Sequence, residues 1–175
     1  TCFDEYIFQS DKFEKIFKTY VEKNELPHLL LSGIRGTGKT SLVFILKDAL
    51  KIEDQDFLKL NGSDDNSISN VRGIIKNHIT DMVAGSEFPY KVVYIDEADH
   101  LSSQAQNALR AITEEYADHA RFIFSLNHIN KIIPELIDRF TVFDFSSIPK
   151  KKMIIRAAEI LAEEEIEVDN PKKTL

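Results

Sequence analysis

The stretch that decides the fold is Gly33-Ile34-Arg35-Gly36-Thr37-Gly38-Lys39-Thr40. It follows the apolar run at 29–31 and precedes apolar residues at helical spacing, namely Leu42, Ile45, Leu46 and Ala49. The glycines let backbone N–H groups converge on phosphate oxygens, and the N-terminus of the following helix adds a favourable dipole. A strand, a glycine-rich loop and a helix in this order predict a phosphate-binding P-loop.

Two residues at the end of this loop and two further along the chain predict the chemistry. Lys39 is expected to reach the β- and γ-phosphates of a nucleotide, and the Thr40 hydroxyl to ligate Mg²⁺. A second apolar run, 92–95, ends at Asp96 and Glu97. Asp96 is expected to hold the same metal ion, while Glu97 can polarise a water molecule for attack on the γ-phosphate. The alternative for Glu97 is a structural acid at a strand end. No guanine-reading Asn-Lys-x-Asp motif accompanies them, so ATP hydrolysis is favoured over GTP switching.

Composition and length limit the remaining possibilities. The chain has 175 residues and a formal net charge of −7, so a nucleic-acid surface must be a local basic patch. The single cysteine, Cys2, excludes an intramolecular disulfide framework and fits a reducing compartment. No apolar run approaches the ~20 residues that span a bilayer. The ends at Thr1 and Leu175 predict a piece of a longer protein.

Helical and strand patterns alternate along the whole sequence. The predicted strands are 29–31, 57–60, 92–95, 122–126 and 142–145. Predicted helices begin near Ser10 or Asp11, at the P-loop, near Ser69, at a capping box of Ser103 with Gln106, and at Lys150. The pattern predicts a five-stranded parallel sheet covered on both faces, in a domain at 1–148. Residues 149–175 are predicted to begin a second, helical domain.

Several segments together resemble AAA+ ATPases, and among them the small subunits of sliding-clamp loaders. The segments, beside the P-loop, are Leu26–Leu31, Asn61–Asp64, Asp96–Asp99, the set Gln106, Leu109, Arg110 and Glu114, then Asn127 and Ile133–Phe140. The stretch from Asn61 to Gly73 is most similar to the T-even phage type. The resemblance implies a three-layer P-loop AAA+ fold followed by a helical lid domain. It also implies an ATPase that opens a clamp and loads it on primer–template DNA during replication.

The resemblance assigns further roles to individual residues. The implied nucleotide contacts are Gly33, Ile34, Arg35, Gly36, Thr37, Gly38, Lys39, Thr40 and Ser41, with Ile7 upstream of them. Asn127 falls at the position of a polar sensor at a strand end, although it also fits a turn-forming asparagine. Arg139 is implied to act as an arginine finger in a neighbouring subunit's site; the alternative is an ion pair with Asp138 or Glu135.

The implied partners are other clamp-loader subunits, a sliding clamp and primer–template DNA, and no membrane. The implied location is the cytoplasm or the nucleus, wherever the replisome assembles. Arg72 and Lys76, one helical turn apart, are predicted to contact DNA phosphates; the alternative is two ordinary solvated residues. Ile34-Arg35 stand where prolines are common in the family, and Asp138 and Phe140 replace the Ser and Cys that flank its arginine. The family's basic-aromatic segment near adenine is absent from this sequence.

Three other interpretations stay open at this point. The string Asp96-Glu97-Ala98-Asp99 is also that of DEAD-box helicases, which need a second RecA-like domain and a Ser-Ala-Thr-like motif. Another AAA+ motor is possible, such as a branch-migration ATPase or an unfoldase, although 66–85 contains no aromatic residue for a pore loop. The third is a subunit that keeps the fold and binds partners without hydrolysing ATP.

Overall fold

The centre of the molecule is a sheet of five parallel strands. The computed structural model describes residues 6–64, 68–81, 87–145, 154, 155 and 158, with 68–71 described by backbone alone. The strands are β1 (Leu29–Ser32), β2 (Phe57–Asn61), β3 (Lys91–Asp96), β4 (Ala120–Leu126) and β5 (Thr141–Asp144). Their order across the sheet is β2-β3-β4-β1-β5, and every neighbouring pair is parallel. The predicted five-stranded parallel sheet is confirmed.

Helices connect the strands and cover both faces of the sheet. They are α1 (Asp11–Lys23), α2 (Lys39–Ala49), α3 (Ile68–Thr80), α4 (Ser103–Glu115) and the short α5 (Pro134–Ile137). Ser10 caps α1 by accepting a hydrogen bond from the Phe13 N–H at 3.3 Å, as predicted. In the described parts of the chain, no helix is both long and apolar enough to cross a bilayer.

The start of α4 differs from the prediction by one residue. Ser102, and not Ser103, is the N-cap, and its Oγ accepts from the Ala105 N–H at 3.2 Å. Gln106 takes no part in a capping box. Its amide donates to the carbonyls of Leu101 and Lys131, and its oxygen accepts from the Ile133 N–H at 2.8 Å. Gln106 therefore joins α4 to the segment that leads into α5.

Strand alternation divides the apolar core into two layers. Odd and even residues of a strand point to opposite faces, so Leu29 and Leu31 pack with α1 and α2, while Leu30 packs with the layer of α3, α4 and α5. Tyr94 belongs to the first layer, and its neighbour Val93 to the second. The fold is thus a three-layer α/β sandwich, as predicted.

Two predictions about the helices are not confirmed as made. Helical spacing of the apolar residues of α3 predicts Ile74 on the same face as Ile75 and Ile79, but Ile74 is 41% exposed while the other two are buried. Most of the predicted lid helix lies outside the described residues. The described residues of this part are Ile154, Ile155 and Ala158, and they are helical. The domain division at 148 and 149 stays a prediction.

The sheet order determines where a ligand can lie. The carboxyl ends of parallel strands meet at one edge, and ligands of open α/β sheets bind outside this edge, where neighbouring connections leave in opposite directions. Here β1 lies between β4 and β5, and the chain leaves β1 through the loop that leads into α2. The P-loop, the end of β3 and the end of β4 are therefore neighbours.

Candidate functional site

A cavity of about 390 Å³ opens at the carboxyl edge of the sheet. Three segments line it: the P-loop with the first turn of α2, the end of β3, and the end of β4. The lining residues are Arg35, Gly36, Thr37, Gly38, Lys39, Thr40, Ser41, Asp96, Glu97, Ser125, Leu126 and Asn127. The structure brings together most of the predicted nucleotide, metal and catalytic residues. In the described part of the chain, Ile7, Gly33, Ile34 and Arg139 are not among the lining residues.

The P-loop presents backbone N–H groups to this cavity. Gly38 is the N-cap of α2 with φ 86°, a left-handed conformation that glycine adopts without steric cost. Since the N-cap of α2 makes no side-chain hydrogen bond, the first N–H groups of this helix are left for an anion. Thr37 Oγ1 donates to the Ile34 carbonyl at 2.9 Å and holds the loop closed on itself. The loop has the backbone arrangement of an anion site.

Lys39 lies at the mouth of the loop. Its Nζ donates to the carbonyls of Gly33 (2.6 Å) and Ile34 (2.8 Å), and to Asn127 Oδ1 (3.3 Å). Burial lowers the pKa of Lys39, against the opposing attraction of Asp96 and Asp99. Bonds from an ammonium to a charged phosphate oxygen are stronger than those to neutral acceptors, so phosphate can replace these partners.

Asp96 is tied to a buried group of hydroxyls. Its Oδ1 accepts from the Glu97 N–H at 3.1 Å and from Ser125 Oγ. The Tyr94 hydroxyl lies 3.0 Å from Ser125 Oγ and 3.3 Å from Thr40 Oγ1. Burial raises the pKa of Tyr94 to about 12, so the phenol keeps its proton at neutral pH. Sequence reasoning missed Tyr94 and Ser125, although strand alternation from Asp96 places Tyr94 on the same face of β3.

The residues that could hold a metal ion are Thr40 and Asp96. Their hydroxyl and carboxylate are hard oxygen ligands that suit Mg²⁺, which proteins bind through one or two carboxylates together with substrate phosphates. Within the described segments no three His, Cys, Asp or Glu side chains form a cluster, so these segments carry no all-protein metal site. The donor set fits a Mg²⁺ ion that arrives with a nucleotide.

Glu97 turns sharply out of β3 beside Asp96. Its φ is 53°, a left-handed conformation that a residue with a side chain adopts at some cost and that is concentrated at functional sites. Arg35 Nη2 lies 3.4 Å from Glu97 Oε1, and His100 Nδ1 lies 3.6 Å from Glu97 Oε2. A Cβ at Gly62 would lie 2.5 Å from the Glu97 carbonyl oxygen, so glycine is needed there for β2 to approach the turn. The Glu97 side chain faces the cavity between two basic groups.

Asn127 completes the cavity from the end of β4. Its Oδ1 accepts from Lys39, and its N–H donates to Asp99 Oδ1 at 3.4 Å. Asp99 is 5% exposed. Asn127 is therefore held between the P-loop lysine and the segment that follows Glu97. Its sensor role stays a prediction.

The segment before α1 approaches the P-loop from outside the cavity. Tyr6 Oη donates to the Gly38 carbonyl at 3.1 Å, and Gln9 Nε2 donates to the Thr37 carbonyl at 3.4 Å. Ile7 lies between these two residues in sequence and is half-buried. Its contact with a nucleotide stays a prediction, while Tyr6 and Gln9 are the residues that join this segment to the loop.

Arg139 and Lys76 lie in the other helical layer, and α4 supplies a carboxylate to each. Arg139 Nη2 pairs with Glu114 Oε2 at 2.9 Å, and not with the expected alternatives Asp138 or Glu135. The Arg139 Nε is buried and has no hydrogen-bond partner among the described residues. Lys76 Nζ pairs with the next glutamate, Glu115, at 3.0 Å and lies over the ring of Tyr116.

Arg72, the other predicted DNA contact, is exposed one turn before Lys76. The hydrogen bond from Lys76 is the main cause of a lowered pKa at Glu115, and the Arg72 charge adds to it. The two basic residues of α3 therefore act on the same carboxylate.

Comparisons with known proteins agree with this geometry. Residues 29–147 match the family described as ATPase family associated with various cellular activities (AAA). The replication factor C small subunit of Methanococcus vannielii is 40% identical over 157 residues, 89% of this chain and 50% of that relative. The corresponding protein of Sulfurisphaera tokodaii is 38% identical over 168 residues, 95% of this chain and 51% of the relative. The chain spans about half the length of these curated relatives.

Solved structures show the same fold. The RuvB Holliday junction branch migration motor of Thermotoga maritima superimposes with a TM-score of 0.72, covering 96% of this chain and 55% of that chain. The two sequences are 20% identical, so this likeness concerns the fold alone. The predicted P-loop AAA+ fold is confirmed.

Proposed function

Because the chain belongs to the AAA family of ATPases, we propose that it is the nucleotide-binding module of a sliding-clamp loader small subunit. The observation that carries the proposal is the convergence of Lys39, Thr40, Asp96, Glu97 and Asn127 on one cavity. It is supported by about 40% identity to replication factor C small subunits over most of the chain. In this proposal the module binds ATP with Mg²⁺ and hydrolyses it.

The cavity residues divide the chemistry between them. The backbone of 33–41 cradles the phosphates, Lys39 contacts the β- and γ-phosphates, and Thr40 with Asp96 holds the metal ion. Mg²⁺, when bound at Thr40 and Asp96, would offset the negative charge that develops on the phosphate oxygens. Glu97 accepts a proton from the attacking water, and Asn127 donates a hydrogen bond to the γ-phosphate or the water.

The position of Arg35 adds a consequence for Glu97. The Arg35 guanidinium lies 3.4 Å from Glu97 Oε1, where a charge-assisted hydrogen bond can orient the carboxylate. The pair is exposed on the arginine side, since 89% of the Arg35 side chain is accessible, so its contribution is small. Arg35, a residue of the P-loop, therefore orients the Glu97 side chain without taking part in the chemistry.

The remaining predicted roles need other molecules. Arg139 would act in the site of a neighbouring subunit, where a fixed guanidinium neutralises charge on the transferring phosphoryl group. Arg72 and Lys76 would contact phosphates of primer–template DNA, inside a spiral of subunits that opens a sliding clamp. The protein would act in cytoplasm or nucleus, wherever its replisome assembles.

ATP turnover of the full-length protein, assembled with its partner subunits, tests the proposal. A sliding clamp and primer–template DNA should together stimulate turnover. Glu97→Gln should retain ATP binding and lose about 10²–10⁴-fold in turnover, because it removes the proton acceptor and keeps the phosphate and metal contacts. Glu53→Gln, an exposed residue away from the cavity, is the matched control. Stimulation by a four-way DNA junction, with no response to the clamp, would instead support a branch-migration motor.

A further inference from the structure

We infer that Tyr94 and Ser125 are positioning residues for the metal site, which orient Thr40 and Asp96 through one continuous set of contacts between polar side chains. This inference rests on the proposed nucleotide site and adds two residues to it. Neither residue belongs to the P-loop or to the Asp96-Glu97 pair.

The backbone places these four side chains together. Tyr94 and Asp96 are two residues apart on β3, so both point to the face that α2 covers. In the parallel register Tyr94 lies beside Ile123 of β4, and Ser125 is two residues further along β4 on the same face. Thr40 lies in the first turn of α2, above this face. Each position follows from strand alternation and from the helix that the P-loop begins.

The two inferred residues are themselves buried. Tyr94 is 0% exposed and Ser125 is 1% exposed. Buried hydroxyl groups are almost always hydrogen-bonded, and here each finds its partner within the set. The Tyr94 hydroxyl bridges Thr40 Oγ1 (3.3 Å) and Ser125 Oγ (3.0 Å), while Ser125 contacts Asp96 Oδ1.

The hydroxyl protons decide which bonds these contacts make. Tyr94 donates its single proton to Thr40 Oγ1. Ser125 donates its single proton to Asp96, because an ionised carboxylate has no proton of its own. The two hydroxyls lie 3.0 Å apart, where either can donate to the other. Each of the two metal ligands therefore accepts a hydrogen bond from one of the two inferred residues.

This arrangement suits metal binding. A hydroxyl that ligates a cation uses one oxygen lone pair, and its second lone pair can accept a hydrogen bond. The bond from Tyr94 occupies that second position on Thr40 Oγ1. At the other end, the bond from Ser125 occupies one position on Asp96 Oδ1 and turns the carboxylate. Hydrogen-bond partners of metal ligands fix the orientation of those ligands, and their loss typically weakens metal affinity by about 10–100-fold.

Mg²⁺-dependent binding of the non-hydrolysable analogue AMP-PNP to the full chain tests the inference. Tyr94→Phe keeps the buried ring and removes only the bridging hydroxyl. AMP-PNP should bind more tightly as Mg²⁺ is added. In Tyr94→Phe, we expect the Mg²⁺ concentration at which half of this increase in affinity is reached to be higher by on the order of 10-fold. Affinity for AMP-PNP in EDTA should not change. Ser125→Ala should do the same. The double variant should resemble either single one, because the two hydroxyls are in contact and act on one metal site.

A matched control and thermal unfolding separate positioning from packing. Tyr6→Phe removes a half-buried phenol hydroxyl, which donates to the Gly38 carbonyl and, among the described residues, makes no hydrogen bond to Thr40 or Asp96. The Mg²⁺ requirement of this variant should stay parental. If Tyr94→Phe and Ser125→Ala lowered the melting temperature with a parental Mg²⁺ requirement, the residues would be merely structural and the inference wrong. If the parental chain showed no Mg²⁺-dependent binding of AMP-PNP at all, the proposed function itself would fail.

Discussion

Basic residues have different partners in two regions of the molecule. One region is the cavity at the carboxyl edge of the sheet, and the other is the outer surface of α3, α4 and α5. In the cavity, Lys39 is buried and bonded mainly to backbone carbonyls of its own loop. On the helical surface, Lys76 and Arg139 are paired with consecutive glutamates of α4, Glu115 and Glu114. Among the described residues, the hydrogen-bond partners of Lys39 are all neutral, whereas Lys76 and Arg139 are paired with carboxylates.

This difference separates what one chain can do from what needs another molecule. A charged phosphate is a stronger partner for Lys39 than the carbonyls that hold it, so the cavity is prepared for its ligand. Lys76 and Arg139 must exchange an ion pair within the chain for a phosphate on DNA or on a neighbour's nucleotide. Exposed ion pairs contribute little to stability, so the exchange costs little and depends on salt.

The largest expected effect concerns Arg139. In the assembled full-length protein, Arg139→Ala should lower ATP turnover by about 10³–10⁵-fold, because an arginine finger stabilises the charge of the transition state. Mixing Arg139→Ala subunits with Glu97→Gln subunits should restore part of the turnover, since an intact Glu97 then meets an intact arginine from its neighbour. Steady-state phosphate release across mixing ratios is the measurement.

Glu114→Gln is the matched control for that experiment. It removes the partner of Arg139 within the chain and leaves the guanidinium in place, so turnover should stay near the parental value. If no mixture exceeded the separate variants, and Glu114→Gln were as inactive as Arg139→Ala, the ion pair would be structural and the trans role wrong.

A smaller effect is expected for the basic residues of α3. Changing Arg72 and Lys76 to Ala should weaken primer–template binding for all sequences alike, because phosphate contacts carry no base information. Each lost contact should flatten the dependence of log affinity on log salt by about 0.9. Glu115→Gln should strengthen binding, since it releases Lys76 and removes a negative charge. Fluorescence anisotropy across a salt series measures both.

Two lysines of α1, Lys15 and Lys18, provide the control for this pair. They lie in the other helical layer, and changing both to Ala should leave the salt dependence parental. An unchanged slope in the Arg72 and Lys76 variant would assign these residues to an ordinary solvated helix surface.

The sequence predicted the cavity well for a physical reason. A P-loop needs a fixed spacing of glycines, lysine and threonine within one short segment, and its metal-binding carboxylate follows a strand that is recognisable by its apolar run. Periodicity predicted all five strands, and their ends differ from the prediction by one or two residues. Family membership and the AAA+ fold are both confirmed by the comparisons.

Contacts between distant segments were not predictable from these patterns. Tyr94 and Ser125 meet because of the strand register, which the pattern of either strand alone does not reveal. Glu114 was noted for its resemblance to the family, but its pairing with Arg139 depends on how α4 packs against the segment after α5. The capping prediction at Ser103 was wrong because Ser102 and Ser103 are equivalent by residue type, and only the backbone decides which one caps.

ATP binding by the full chain without partners tests the central claim, which is that the cavity is complete within one chain. Isothermal titration should show MgATP binding to the parental protein. Lys39→Ala should weaken it by about 10–100-fold, because a charge-assisted contact to phosphate is lost. Lys76→Ala, a lysine of the α3 surface that already has a carboxylate partner, should bind as the parental chain does. Parental affinity in Lys39→Ala, or equal losses in the two variants, would contradict the account.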